Sequence, residues 1–251
     1  MTPELGMEQT GFLGRVRSAL ARRQAAAPRP GEDVSVEDWI ERATQIRAGG
    51  ASRWEELLVR FTGELEAVAG VVHRLSASGV PALVARLARE HRFSCVIAWH
   101  ESALGVPGLL AALQAEGLAV DGGSSDPGHA TGRDQVGDFR QRMGRGEIGL
   151  TAVDYAVAES GSLVLMSGSG KGRLVSCLPV IHVAILRPGQ LIETWDEFGV
   201  LLEASHLLAP PVDSPSNTTF ITGPSRTADI ELSLTRGVHG PREVHVLALD
   251  Q

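Results

Sequence analysis

Residues 148–186 decide the fold of this chain, and they read IGLTAVDYAVAESGSLVLMSGSGKGRLVSCLPVIHVAIL. This stretch contains three short apolar runs, at 148–151, 162–166 and 180–186, and polar or glycine-rich residues separate them. Short, continuous apolar runs are typical of strands that are buried on both faces, as in a sheet covered by helices. The stretch therefore predicts a buried sheet that is mostly parallel or mixed.

The sequence on both sides of this stretch alternates between strand and helix patterns. Further strands are predicted at 71–75, 95–99, 118–120, 218–222 and 244–249. The helices predicted among them cover residues 81–90, 107–116, 134–143 and 195–204. Because strands and helices alternate in this way, the sequence predicts an α/β domain.

The N-terminal region has a helical pattern with one break. A helix over 12–24 is followed by a linker rich in Pro and Ala at 25–33, and Ser35 is placed to cap a second helix that begins near Val36. A third helix follows, with its apolar residues at the 3.6-residue period of an amphipathic helix. The predicted division is an N-terminal helical arm with its linker over 1–70 and an α/β domain over 71–251.

Composition excludes several classes of protein. The 251 residues are 43% hydrophobic, which is incompatible with overall disorder, and 23 basic against 30 acidic side chains give a net charge of −7. A dedicated nucleic-acid binder needs a basic surface, so this class is excluded. The sequence has no apolar run near the roughly 20 residues that span a bilayer, and no signal-peptide core, so we expect a soluble cytoplasmic protein.

The two cysteines limit the cofactors that this chain can hold alone. Cys95 and Cys177 lie in separate parts of the sequence. Two isolated cysteines do not by themselves make a structural zinc site or ligate an iron–sulfur cluster. They also do not indicate a disulfide framework.

An acidic segment joins two of the predicted buried strands, and it includes Asp154 and Glu159. A carboxylate at a strand end beside a glycine-containing turn is a candidate nucleophile or general base. The alternative is an acid that caps or hydrogen-bonds a tight turn.

A glycine-rich loop, SGSGKGR at 167–173, follows the second buried strand. It contains Lys171, the one lysine of the chain, together with Ser169 and Arg173 as candidate ligand-binding residues. Successive amides in such a loop can form a nest for phosphate or carboxylate, and a flexible solvent loop is the alternative. The spacing matches neither a P-loop nor a dinucleotide-binding fingerprint.

Histidines supply further candidates. His182 lies between Ile181 and Val183 on a predicted buried strand, where it is either a core histidine with a satisfied hydrogen bond or a ligand-binding residue. The same two alternatives apply to His73 and His100. No group of His, Cys and Asp has the spacing of a metal site.

The segment ITGPSRTADIE at 221–231 combines a strand end with a Gly-Pro turn. A short helix starting at Ser225 or Thr227 is predicted after the turn, and a strand end beside a helix N-terminus is where open α/β sheets bind anions. Alternatively, Asp229 only caps the turn or pairs with Arg226. The candidate ligand-binding residues here are Thr222, Gly223, Ser225, Arg226 and Asp229, with His239 in the later segment GVHGP at 237–241.

These segments together resemble a known family. DYAVAESGSLVL at 154–165, Arg173, LPVIHV at 178–183, TGPSRTADIE at 222–231 and GVHGP at 237–241 are similar to the LUD-domain family, and within it to the lactate utilization protein C group, also called YkgG or DUF162. The resemblance covers about residues 61–250.

The resemblance implies a three-layer fold like that of NagB, RpiA and the CoA transferases. It also implies a role in oxidising L-lactate to pyruvate with partner proteins that carry the iron–sulfur clusters, while this chain binds no cofactor alone. CoA transferases of the related fold use a Glu in a Glu-Asn-Gly context as nucleophile, and Glu159-Ser160-Gly161 is similar, with Ser in place of Asn.

Two other functions stay open. One is an enzyme or sensor that binds a small anionic metabolite (a carboxylate, phosphate or CoA ester) in a single pocket formed by Glu159, Lys171, Arg173 and the turn at 222–229. The other is a scaffold protein whose motifs only form turns.

Overall fold

Six parallel strands form the central sheet of the computed structural model, which describes residues 35–122, 147–208, 215–228 and 234–250. Each neighbouring pair in this sheet is parallel. In spatial order the strands are β1 (Val71–Leu75), β12 (Glu243–Leu249), β7 (Ile181–Leu186), β4 (Ile148–Ala152), β2 (Cys95–Ala98) and β3 (Ala119–Asp121). All six were predicted from the sequence, so the mostly parallel α/β fold is confirmed.

A second, smaller sheet has four strands, which fall in the sequence between strands of the central sheet. Its strands are β8 (Leu191–Ile192), β5 (Tyr155–Val157), β6 (Ser162–Ser167) and β9 (Asn217–Ile221). β6 pairs antiparallel with both β5 and β9, whereas β5 pairs parallel with β8. The sequence predicted β6 and β9 but missed β5 and β8, because two or three residues are too few to show a strand period.

Seven helices lie in the described part of the chain, together with two short 3₁₀ turns. They are α1 (Val36–Ser52), α2 (Trp54–Ala67), α3 (Val80–His91), α4 (Glu101–Leu104), α5 (Leu109–Ala115), α6 (Leu174–Cys177) and α7 (Trp195–Leu208), and the 3₁₀ turns are Ala77–Gly79 and Pro188–Gln190. Ser35 caps α1 as predicted, since its hydroxyl accepts from the Asp38 amide at 3.1 Å. None of these described helices combines the length and apolar composition needed to cross a membrane.

Several predicted features lie outside the described residues. They are the helix at 12–24, the linker at 25–33, the helix at 134–143 and Asp229.

The prediction of a helix starting at Ser225 or Thr227 is wrong. The chain instead forms β10 (Arg226–Ala228), which pairs antiparallel with β11 (Leu234–Arg236). Ser225 donates its amide to the Pro241 carbonyl at 2.9 Å and accepts from the Gly237 amide at 3.0 Å. These bonds between distant parts of the chain hold the segment extended, which turn chemistry alone does not reveal.

Helix α2 packs in the same hydrophobic core as the central sheet. Its side chains Leu57, Phe61 and Leu65 are at most 2% exposed, and they join the core that contains β4 and β7. The sequence predicted this helix as part of the N-terminal arm. A second cluster joins α1 to α7 through Ala43, Phe198 and neighbouring apolar residues.

Two glycines let the small sheet approach the end of α2. Gly161 has φ of +62°, and a Cβ on it would lie 2.4 Å from the backbone nitrogen of Leu65. Gly223 has φ of +84°, and a Cβ there would lie 2.8 Å from Val68 Cγ2. Both positions combine a left-handed backbone with a close contact, so glycine is required for α2 to dock.

We expect Gly161→Ala to lower the free energy of unfolding by more than about 2 kcal/mol, because the new Cβ adds a backbone clash to an unfavourable φ. Urea unfolding followed by circular dichroism measures this change. The matched control is Gly63→Ala within α2, where nothing lies within 4 Å of the new Cβ. This control should be neutral or raise stability by up to about 1 kcal/mol. Equal effects of the two substitutions would contradict the docking role of Gly161.

Candidate functional site

The connections of the central sheet reverse direction between β2 and β4. From β2 the chain continues to β3 on one side, whereas the next strand of this sheet after β4 is β7, on the other side. In open parallel sheets, ligands bind in the crevice outside the carboxyl ends of the strands at such a reversal. The topology therefore points to the residues that directly follow β2 and β4.

Three side chains from different segments meet at this crevice. Asp154 follows β4, Trp99 follows β2, and Lys171 comes from the glycine-rich loop after β6. The Lys171 ammonium forms an ion pair with Asp154 Oδ1 and lies 5.4 Å from the centre of the Trp99 ring. Asp154 is itself fixed, because its Oδ2 accepts from the Met166 amide at 2.7 Å. We call Trp99, Asp154 and Lys171 the switch-point cluster.

The glycine-rich loop is an ordered turn that rests on the end of β2. Gly168 and Lys171 bond to each other across the turn, and Gly170 between them has φ of +70°. The His100 amide donates to the Gly170 carbonyl at 2.9 Å, and Trp99 Nε1 donates to the Gly172 carbonyl at 3.2 Å. The amides of Gly168 and Lys171 are thus used inside the turn.

The switch-point cluster is chemically suited to a small hydroxylated carboxylate. The Lys171 and Asp154 side chains are 28% and 18% exposed, so the pair is partly shielded from water. An ammonium carries three N–H donors, and one ion pair does not exhaust them. A ligand carboxylate can pair with Lys171 while a ligand hydroxyl donates to Asp154.

The sequence did not indicate Trp99 as a site residue, and it left His100 open between a core role and a ligand-binding role. His100 is exposed rather than a core residue, and its Nδ1 lies 2.8 Å from Ser102 Oγ. The available signal was their position at the end of the apolar run predicted at 95–99, but using it required the order of strands in the sheet. Ser169 and Arg173, which were predicted, are exposed on either side of Lys171.

The Thr222 turn lies at the other end of β6 from Lys171. Thr222 Oγ1 lies 2.6 Å from Ser162 Oγ at the start of β6, whereas the Lys171 turn follows Ser167 at its end. Five residues of strand separate the two ends by about 16 Å. The single pocket expected to contain both Lys171 and the Thr222 turn is therefore not formed.

Glu159 lies at the Thr222 end of β6 as well. Its Oε1 accepts from the Trp195 amide at 2.7 Å, at the first residue of α7. This contact matches the capping alternative for Glu159, since a helix N-terminus favours a negative charge. Its catalytic role stays a prediction.

The remaining predicted residues lie near the amino ends of β7 and β12. Ser225 bonds to Pro241, and the Arg242 amide donates to the Val180 carbonyl at 2.7 Å just before these strands begin. Arg226 and His239 are exposed. This edge is opposite to the switch-point cluster, so these residues do not join it.

Comparison of the sequence with models of known protein families identifies the family of this chain. The LUD domain model matches residues 58–249, which is most of the chain and includes the switch-point cluster. The chain belongs to the LUD domain family. The match begins within α2, in agreement with the packing of this helix in the domain core.

Two relatives of this LUD domain carry the same description. Lactate utilization protein C from Halalkalibacterium halodurans is 36% identical over 164 residues, which cover 64% of this chain and 66% of that protein. Lactate utilization protein C from a Geobacillus species is 39% identical over 109 residues, which cover 41% of this chain and 43% of that protein. The matched regions thus span between 43% and 66% of these relatives' lengths.

A solved structure has the same fold as this LUD domain. It is a DUF162 family protein from Deinococcus radiodurans, 18% identical, with a TM-score of 0.50 over 78% of this chain and 98% of that one. At this identity the comparison concerns the fold alone.

His182 lies inside the core of the LUD domain. It is fully buried on β7, and its Nε2 lies 2.9 Å from Thr151 Oγ1. Among the described residues, its Nδ1 has no hydrogen-bond partner. Burial, with a smaller contribution from His245, lowers the pKa of His182 to about 3. The residue is therefore neutral, which fits the core alternative.

The low pKa of His182 predicts that acid destabilises the fold. The unfolded chain takes up this proton near the ordinary pKa of 6.5, whereas the folded chain does so only near 3. The stabilisation is therefore complete above pH 6.5 and is lost as the pH falls towards 3, by up to about 1.4 kcal/mol per pH unit. In urea unfolding over this range, the free energy of unfolding should depend less steeply on pH for His182→Gln than for the wild type.

The control for this experiment is His206→Gln, because His206 is exposed on α7. It should leave the pH dependence unchanged. The same slope for wild type and His182→Gln would contradict a neutral, buried His182.

Proposed function

We propose that this chain is a subunit of an L-lactate utilization system. Its membership of the LUD domain family, together with relatives named lactate utilization protein C, carries the proposal. The switch-point cluster supports it, because a 2-hydroxy carboxylate has one group for Lys171 and another for Asp154.

In this proposal the substrate lies at the carboxyl ends of β2 and β4. The Lys171 ammonium binds the lactate carboxylate, and the Trp99 ring and Asp154 keep the ammonium in place. The Asp154 carboxylate accepts the hydrogen bond of the lactate hydroxyl. This arrangement orients the C–H and O–H bonds that are lost when lactate becomes pyruvate.

The electrons pass to other proteins in this proposal. Oxidation of L-lactate to pyruvate releases two electrons to an acceptor and two protons to solvent. The chain has two cysteines, Cys95 at the start of β2 and Cys177 at the end of α6, and four thiolates hold a common iron–sulfur cluster. Partner proteins with iron–sulfur clusters are therefore the proposed electron acceptors.

Deleting the gene for this chain should abolish growth of its host on L-lactate as the sole carbon source. The wild-type gene should restore growth, whereas Lys171→Ala and Asp154→Asn should restore less than about a tenth of the rate, since each removes one side of a charged contact. Normal growth of the deletion strain would overturn the proposed function.

Two control variants distinguish loss of the site from loss of the folded protein. Arg89→Ala, an exposed change on α3, should support normal growth. Glu159→Gln keeps an oxygen that can accept from Trp195 but removes the ionisable carboxylate, so it should support normal growth as well. Failure of a folded Glu159→Gln protein would instead identify Glu159 as a catalytic residue.

A second candidate is an enzyme or sensor that binds a small anion without the lactate pathway. The ammonium of Lys171 beside the exposed Arg173 favours anions in general. Calorimetry with L-lactate, pyruvate, acetyl-CoA and glucose 6-phosphate distinguishes the candidates. We expect heat with lactate or pyruvate, and at least about tenfold weaker binding for Lys171→Ala. Binding of only the CoA ester or the sugar phosphate would favour the second candidate.

A further inference from the structure

Four titratable side chains form a continuous chain of contacts away from the switch-point cluster. His73 on β1 has its Nε2 2.9 Å from Nδ1 of His245 on β12. His245 Nε2 lies 3.0 Å from Glu243 Oε2, and the same oxygen lies 3.5 Å from Nε2 of His91 at the end of α3. The chain therefore links β1, β12 and α3.

The hydrogen-bond partners assign the protons in this chain. The Glu243 carboxylate only accepts, so His245 carries its proton on Nε2. A neutral His245 then has a bare Nδ1, which accepts from the Nε2–H of His73. A neutral His73 in turn has a bare Nδ1, which can take up an added proton.

One extra proton is compatible with this arrangement, but two are not. A proton on His73 Nδ1 leaves the bond from His73 Nε2 to His245 Nδ1 intact. A second proton, on His245 Nδ1, places a hydrogen on both nitrogens that are 2.9 Å apart, so the bond is lost. It also places like charges on two stacked rings whose centres are 5.2 Å apart.

The surroundings of the two rings make it still less favourable to protonate both His73 and His245. The His245 side chain is 7% exposed, so water screens its charge weakly. From α3, Arg86 adds a positive charge near His73, and Glu90 adds a negative one. From β7, the neutral His182 lies close enough to interact with His245. Desolvation, followed by the charges of His245 and Arg86, lowers the pKa of His73.

We propose that His73, His245, Glu243 and His91 form a proton-sensitive clamp between β1, β12 and α3. The clamp is closed at neutral pH and opens when His73 and His245 are both protonated. Opening releases β1 and α3 from β12 while the centre of the sheet stays folded. A metal site does not explain the cluster, because no three metal-binding side chains converge within the described residues.

Nitrogen-15 NMR of histidine side chains in the wild-type protein tests the proton assignment directly. At neutral pH we expect the proton of His245 on Nε2, and on acidification we expect the two coupled rings to take up their protons in separate steps. Independent titration of both rings near the ordinary histidine pKa of 6.5 would overturn the clamp.

Hydrogen exchange tests the opening. Between about pH 7.5 and 5.0, and after correction for intrinsic rates, amides of β1 and α3 should exchange at least about tenfold faster relative to those of β4. His73→Gln keeps a donor towards His245 but cannot be charged, so it should remove most of this change, while His206→Gln should not. An equal pH response in β1, α3 and β4, or an unchanged response in His73→Gln, would overturn the proposal.

Discussion

The rest of the structure depends on the carboxylate of Asp154, which joins the two sheets. Asp154 lies two residues after the end of β4 of the central sheet, and its amide donates to the Val164 carbonyl of β6 in the small sheet at 2.9 Å. One carboxylate oxygen accepts from the Met166 amide at 2.7 Å, and the other pairs with Lys171. A partly buried carboxylate needs such partners, so this side chain ties β6, which also pairs with β5 and β9, and the turn that follows it to the end of β4. Because this turn rests on the end of β2, the same contacts complete the crevice at which the strand connections reverse.

The two ends of β6 therefore contact different parts of the protein. At its carboxyl end, the Lys171 turn meets Trp99 and forms a charged, partly shielded crevice suited to a small ligand. At its amino end, Gly161 and the Thr222 turn meet the end of α2, and Glu159 caps α7. The glycine-containing turns of the LUD domain thus fall into two groups. One group contacts helices, and the other forms the crevice. The distinction depends on which end of one strand each motif occupies.

The sequence predicted the buried strands because their apolar runs are continuous, and it predicted α1 and α2 because their capping and periodicity are strong. It failed where the deciding information is not local. The expected helix after Gly223 is a strand, since Ser225 bonds to residues that are distant in sequence. The register of β6 against β9 separates Lys171 from Thr222, and no local pattern contains that register. Trp99 became a candidate only when the strand order placed the end of β2 beside Asp154.

We propose that the switch-point cluster is where this LUD domain binds a small carboxylate. A crystal structure of the protein soaked with pyruvate tests this most directly. We expect pyruvate at the carboxyl ends of β2 and β4, with its carboxylate within about 3 Å of Lys171 Nζ, the distance of a charged hydrogen bond. The same density should be absent from crystals of Lys171→Ala. Pyruvate bound instead beside Glu159 and the Thr222 turn, or bound at the cluster equally in Lys171→Ala, would contradict the account.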